Sequence, residues 1–278
     1  MDTLSEQRCF DGLQGRYTHT STATGTTMNF GVYQPPQAAR APVAALYYLA
    51  GLSCNDETFM IKAGAQRLAA ELGLMLVTCD TSPRGLSLPG DSDHWDFGVG
   101  AGFYLDATRA PWSAHYRMGR YINDELPALI EAHFPVRRDR RGICGHSMGG
   151  HGALVTALRD PQRWHSVSAF APVCNPGNAP WGQKAFGNYL GEDRSAWARW
   201  DAAELMAAQA HPAEFLVDQG AADKFLEREL QPQALQAAAT RSGQKLRLRM
   251  HAGYDHSYWF IQSFIADHLA HHASTLLA

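Results

Sequence analysis

The 278-residue chain has only five cysteines, at positions 9, 54, 79, 144 and 174, scattered and odd in number. No Cys-x-x-Cys pair occurs, so neither a zinc knuckle nor a thioredoxin-like site is supported. Reduced thiols in a cytoplasm are the simplest account. Charge of one sign is lacking too. Lys+Arg 24 against Asp+Glu 27 leaves −3, which gives no electrostatic reason to expect nucleic acid or an anionic membrane as partner. The longest apolar run, 41–52, is about 12 residues, short of the ~20 a membrane helix needs. Met1 to Phe10 lacks the basic start and apolar core of a signal peptide. There is no internal repeat, low-complexity tract or linker, so 1–278 is expected to be one domain.

What is present is β-α alternation. The runs 43–49, 74–79, 141–145, 167–170, 214–218 and 246–250 read as strands, several nearly continuously apolar. Between them, helices are expected over 61–72, ending at Gly73, and over 116–133, 149–159, 226–242 and 258–272. Pro232 marks an irregularity in the fourth of these. The pattern predicts a doubly wound α/β domain, its sheet mostly parallel with helices on both faces. Residues 7–33 are expected to add an antiparallel hairpin at the sheet edge. Two long stretches, about 80–115 and 171–212, read as irregular. Loops of that length are usually functional, and both leave the C-terminal ends of strands, where α/β sheets bind ligands.

The sharpest motif is Gly145-His146-Ser147-Met148-Gly149, between an expected strand and an expected helix. In that context Gly-x-Ser-x-Gly is a nucleophile elbow: the turn lifts the Ser147 hydroxyl over the sheet, and a side chain at either glycine would collide with the neighbouring strand or helix. A serine needs a base, itself oriented by a carboxylate, and in this arrangement the chain order is Ser, acid, His. His256 follows the last expected strand; His251 is the rival but abuts the strand end. Asp223 follows the preceding strand and ranks ahead of Asp218, which lies inside it as a structural hydrogen-bonder, and of Asp255. The oxyanion donors are expected to be the backbone N–H groups of Met148 and Leu52, the latter in the loop after strand 43–49, where Gly51 lets the backbone turn inward.

Other features carry less. Gly98 to Gly102 departs from dinucleotide spacing, and Asp91, Asp93 and Asp96 lack the glycine and distant glutamate of a calcium loop. His268, His271 and His272 share a helix and are expected to form an exposed polar face; no metal set emerges from the 13 histidines. His146 and His151 flank the nucleophile without an assigned role. Cys54 lies in the expected oxyanion loop, within reach of the site.

Gly51 to Asp56, Asp80 to Gly85, Asp96 to Tyr104, Gly145 to Leu154, Ser168 to Pro172, Pro180 to Phe186, Asp218 to Gly220 and Gly253 to Tyr258 form a set of blocks spread along the chain. On these blocks the chain, from about Phe30 onward, resembles the S-formylglutathione hydrolase, or esterase D, family of α/β-hydrolases. Ser53 stands where the family usually has Thr, and Trp259 where Tyr is common. The resemblance implies an α/β-hydrolase without a large cap. It implies Ser147, Asp223 and His256 as nucleophile, acid and base, and a small-molecule thioester, S-formylglutathione, as substrate. No cofactor or metal is implied, and a homodimer is. Trp181 becomes a candidate substrate contact. A broad carboxylesterase or an acyltransferase on the same scaffold is the competing expectation.

Overall fold

A computed structural model describes residues 1–278. The strands are β1 (Asp2–Cys9), β2 (Gly12–Thr20), β3 (Thr27–Gln34), β4 (Val43–Leu49), β5 (Met75–Cys79), β6 (Val136–His146), β7 (Ser166–Phe170), β8 (Phe215–Gly220) and β9 (Leu246–His251). They form one nine-stranded sheet ordered β1-β2-β3-β5-β4-β6-β7-β8-β9. The first three strands form an antiparallel meander, joined antiparallel to β5, and all later pairings are parallel. This is the expected α/β-hydrolase architecture. The edge hairpin is extended by one strand, β1, which is mostly exposed and polar, a composition that suits an edge open to water.

Every residue of β4, β5, β7 and β8 is buried, as in a parallel sheet with both faces covered. Helix Met148–Arg159 packs on β4, β6 and β7, and helix Tyr258–Leu276 on β6, β7 and β8. The buried apolar residues from Tyr17 to Leu276 form one contiguous cluster. No helix is long and apolar enough to cross a membrane.

Strand order reverses at β4, whose neighbours are β5 on one side and β6 on the other. The loops leaving β4 and β6 therefore open a crevice at their shared C-terminal edge, where ligands bind in open α/β sheets.

Several expected helices are interrupted. The run 61–72 is two helices, Thr58–Lys62 and Gln66–Leu72, separated at Gly64, which takes φ 68°. Gly73 caps the second in the left-handed region as expected. The run 116–133 contains a π-turn, Tyr121–Glu125, just before Pro127. Pro127 has no N–H to donate back, so the regular ladder gives way there. Pro232 breaks the run 226–242 and begins a new helix, Pro232–Ser242. The stretch 171–212, expected to be irregular, holds helices Pro180–Tyr189, Arg194–Ala198 and Ala202–Ala208. Asp193 and Asp201 start the last two, their carboxylates accepting first-turn N–H groups.

Candidate active site

Ser147 occupies the turn between β6 and the helix Met148–Arg159, with φ 58° and ψ −120°. That conformation costs a non-glycine residue on the order of 1–3 kcal/mol. Three backbone bonds impose it. Ser147 N–H donates to the Phe170 carbonyl at 2.9 Å, while its own carbonyl accepts from His151 at 3.0 Å and Val173 at 3.2 Å. The flanking glycines are needed for space. A Cβ on Gly149 would lie 2.0 Å from the Leu49 carbonyl oxygen, and one on Gly145 would lie 2.1 Å from the Gly149 oxygen.

The loop after β4 approaches the same point. A Cβ on Gly51 would come within 3.1 Å of Ser147 Cβ, so a side chain there would push the loop or the serine back by a few tenths of an ångström. Tyr104 pins this loop by donating its hydroxyl to the Ala50 carbonyl at 2.8 Å, and Ser53 N–H donates to Gly100 at 2.9 Å. Between these anchors the Leu52 N–H has no acceptor within the protein. Met148 is the first residue of its helix, where N–H groups lack intrahelical partners. The structure thus brings two free backbone donors, on different elements, to the neighbourhood of Ser147.

The Asp223 carboxylate is buried in the turn after β8. Its Oδ1 accepts from the Phe225 N–H at 2.9 Å, and its Oδ2 accepts from the Gln219 side-chain amide at 3.3 Å and from His256 Nδ1 at 2.5 Å. A carboxylate only accepts, so the proton of this contact sits on Nδ1 and Nε2 keeps its lone pair. The His256 ring stands 4.5 Å from the ring of His146, the residue preceding Ser147, and edge-on to Phe225 at 5.2 Å. His146 is buried with neither ring nitrogen bonded. Burial holds it well below the ordinary histidine pKa, and nearby His256 adds to this. A neutral His146 therefore faces His256.

The other acidic and histidine candidates are occupied elsewhere. Asp218, fully buried, takes two 2.6 Å bonds from Arg249 and lies 3.3 Å from both His251 and His268. It is the structural hydrogen-bonder the strand position implied, and His251, the rival base, faces it. Asp255 accepts from Ser257 at the start of the last helix instead of orienting His256. Asp91 closes its own loop on Leu88 N–H, and Asp96 pairs with Lys184 at 2.7 Å.

The expected exposed face of His268, His271 and His272 is corrected. His268 and His272 are fully buried, His271 partly so. They meet β7: His272 bonds Ser166 at 2.7 Å and Ser168 at 2.8 Å, His268 bonds Ser168 at 2.9 Å, and His271 bonds the Val167 carbonyl at 3.1 Å. The serines on one face of β7 supply partners that the helix sequence alone does not reveal.

Trp181 is buried, edge-on to Trp95 at 5.5 Å and against Phe225 at 4.7 Å, and so stands one aromatic ring away from His256. Cys54 is half-buried, and burial raises its pKa, which keeps it a thiol. Gln219 was not singled out by sequence reasoning. Its only signal was its place beside Asp218 in Asp218-Gln219-Gly220.

A strained serine at a strand–helix turn of this sheet, its preceding residue facing a histidine held by a buried carboxylate, has the parts of a serine hydrolase. The family model described as "Putative esterase" matches residues 21–271. An S-formylglutathione hydrolase of Paracoccus denitrificans (strain Pd 1222) is 51% identical over 275 residues, covering 99% of this chain and 98% of its own. A solved S-formylglutathione hydrolase from Agrobacterium tumefaciens is 48% identical, with a TM-score of 0.97 over 99% of this chain and 100% of its own. A fluorophosphonate-binding serine hydrolase of Staphylococcus aureus, 18% identical, shares the fold with a TM-score of 0.73 over 94% of this chain and 98% of its own. The chain belongs to the S-formylglutathione hydrolase family of esterases.

Proposed function

We propose that this chain hydrolyses the thioester S-formylglutathione to glutathione and formate, as one α/β-hydrolase domain without a cofactor. The observation that carries this is the 2.5 Å bond from His256 Nδ1 to Asp223, made by a ring that faces His146, the residue before the strained Ser147. Nε2 of His256 accepts the Ser147 proton as Oγ attacks the formyl carbon. The C–S bond breaks, the departing sulfur takes the proton held on His256 Nε2 so that glutathione leaves as thiol, and the formyl group remains on Ser147. His256 then takes a proton from water, which attacks the ester carbon, and returns it to Ser147 Oγ as formate departs. Negative charge on the carbonyl oxygen during both attacks is met by the Leu52 and Met148 N–H groups. Losing one such donor costs on the order of 10²–10³ in rate.

Trp181 and Cys54 are assigned to the substrate-facing wall, one beside Phe225 and the other in the loop after β4. The step fits formaldehyde detoxification in the cytoplasm by a homodimer, and small acyl esters are secondary substrates. The test is a steady-state comparison of S-formylglutathione with S-acetylglutathione and p-nitrophenyl acetate. A kcat/KM for S-formylglutathione at least a hundredfold above the others is expected. Equal values would favour a broad carboxylesterase. Acceleration by added alcohol with ester formation would favour an acyltransferase.

A further inference from the structure

Near the end of β8 the core holds an amide. Gln219 is fully buried, on a strand whose earlier residues Phe215, Leu216 and Val217 are apolar and equally buried. Amide side chains mostly stay in water, so one placed here needs a reason.

The amide is only half satisfied. Nε2 donates to the Asp223 carboxylate at 3.3 Å and to the Gly220 carbonyl at 3.1 Å. Oε1 is buried with no partner. Turning the amide over would set Oε1 against the Asp223 and Gly220 oxygens, acceptor against acceptor with no proton between them. The orientation is therefore fixed, and it includes an orphaned carbonyl, which costs stability.

The donors to Asp223 show what that arrangement supplies. Phe225 N–H, which bonds Oδ1, lies two residues along the same turn. It holds the carboxylate only to its own turn, where Ala221, Ala222 and Lys224 are exposed. Gln219 is the one donor to this carboxylate that sits on the sheet. It reaches Oδ2, the oxygen that also accepts His256 Nδ1. Strand β8 pairs with β7, and β7 with β6, which ends at His146 just before Ser147. Hydrogen-bonded sheet thus runs from the nucleophile to Gln219, and the Gln219 amide carries that connection to the acid.

Nothing else in the fold requires the amide. Without it the Gly220 carbonyl keeps the Asp223 N–H at 3.4 Å, Oδ1 keeps the Phe225 N–H and Oδ2 keeps His256. No group would be left unpaired, and the orphaned Oε1 would be gone.

We propose that Gln219 is a positioning residue of the hydrolytic reaction: its amide ties the Asp223 carboxylate to the sheet and so fixes where His256 presents Nε2. This rests on the reading of Ser147, Asp223 and His256 as the triad.

The test combines steady-state kinetics on p-nitrophenyl acetate with urea unfolding, for the wild type, Gln219→Met, Asp223→Asn and the double variant. Methionine keeps the length of the side chain without its amide, and Gln219→Leu is measured beside it as a second apolar replacement. In both apolar variants kcat should fall about tenfold with KM within about twofold of wild type, because the base is less well placed. Their urea midpoints should equal or exceed that of the wild type, since the unpaired carbonyl is removed. On top of Asp223→Asn, Gln219→Met should cost less than about twofold more, because a residue acting through Asp223 has lost the group it acts through. An unchanged kcat, a loss carried by KM, lower urea midpoints in both apolar variants, or the full loss repeated on top of Asp223→Asn overturns the proposal. A wild-type rate in Asp223→Asn would overturn the triad and the proposal with it; a slow Asp223→Asn beside an unimpaired Gln219→Met overturns the proposal alone.

Discussion

The imidazole of His146 stands 4.5 Å from that of His256, tilted by 42°, and neither of its nitrogens is hydrogen-bonded. A residue fixed on β6 next to the nucleophile thus forms a wall against the ring that Asp223 holds. Being neutral, the wall does not repel the imidazolium that forms during attack. His146→Ala should lower kcat about tenfold or more with KM little changed, because the base is less well positioned. His146→Phe restores the wall without the nitrogens and should recover most of the rate. Measuring kcat and KM separately for both variants checks this. An unchanged kcat in His146→Ala would remove His146 from the mechanism.

Ser147→Ala and Asp223→Asn separate the two halves of the proposed triad. The first should abolish turnover and fluorophosphonate labelling while leaving the circular dichroism spectrum intact. The second keeps the shape at Asp223 but presents an amide in place of an acceptor pair, which disfavours the tautomer with a free Nε2. A loss of roughly 10⁴ in kcat is expected, the scale seen when such an acid is replaced in a serine hydrolase. Wild-type turnover of S-formylglutathione by Ser147→Ala would overturn the assignment.

The placing of Ser147, Asp223 and His256 after successive strands was legible because β6 and β8 contain buried apolar runs and β9 alternates leucine with arginine, both plain in sequence. Gln219 was not legible. An amide inside an apolar strand announces nothing until the turn after β8 folds Asp223 back to within 3.3 Å of it. The histidines of the last helix misled for the same reason. Their spacing marks one helical face, but only the sheet reveals Ser166 and Ser168 opposite them. Local breaks escaped as well: Gly64 gave too weak a signal to split a periodic run, and two of the three helices of 171–212 are short and capped by aspartates that sequence alone leaves ambiguous.

Gly149→Ala tests whether the elbow depends on close backbone approach. The added carbon would meet the Leu49 and Ala50 carbonyl oxygens at 2.0 and 2.5 Å. These are backbone atoms at the end of β4 and the start of the loop bearing Leu52, so neither can move without shifting that loop. The expected outcome is at least a hundredfold loss of kcat/KM together with a lower urea midpoint. Gly64→Ala is the contrast: its Cβ would meet nothing within 4 Å, although φ is 68°. It should cost about 1 kcal/mol of stability and leave turnover unchanged.

Stability should fall with acid in two stages. His146, His151 and His272 are excluded from solvent, and burial lowers all three pKa values, that of His151 to about 3. In the unfolded chain each titrates near 6.5. Below that pH the unfolded state binds protons that the native state refuses, so their contribution is complete above about pH 6.5 and is lost as pH falls. At one pH unit below, each costs about 1 kcal/mol, and the three together a few. Asp218 enters later. Desolvation raises its pKa, but hydrogen bonds from His268 and Arg249 outweigh that and hold it below the ordinary carboxylate range. Its contribution is therefore present above about pH 4 and is lost only as pH falls further. Urea midpoints measured from pH 8.5 to 3.5 should be level above pH 7.5, drop by pH 5.5, and drop again below pH 4. A level profile from pH 7.5 to 5.5 would show that these histidines can take up protons in the native state.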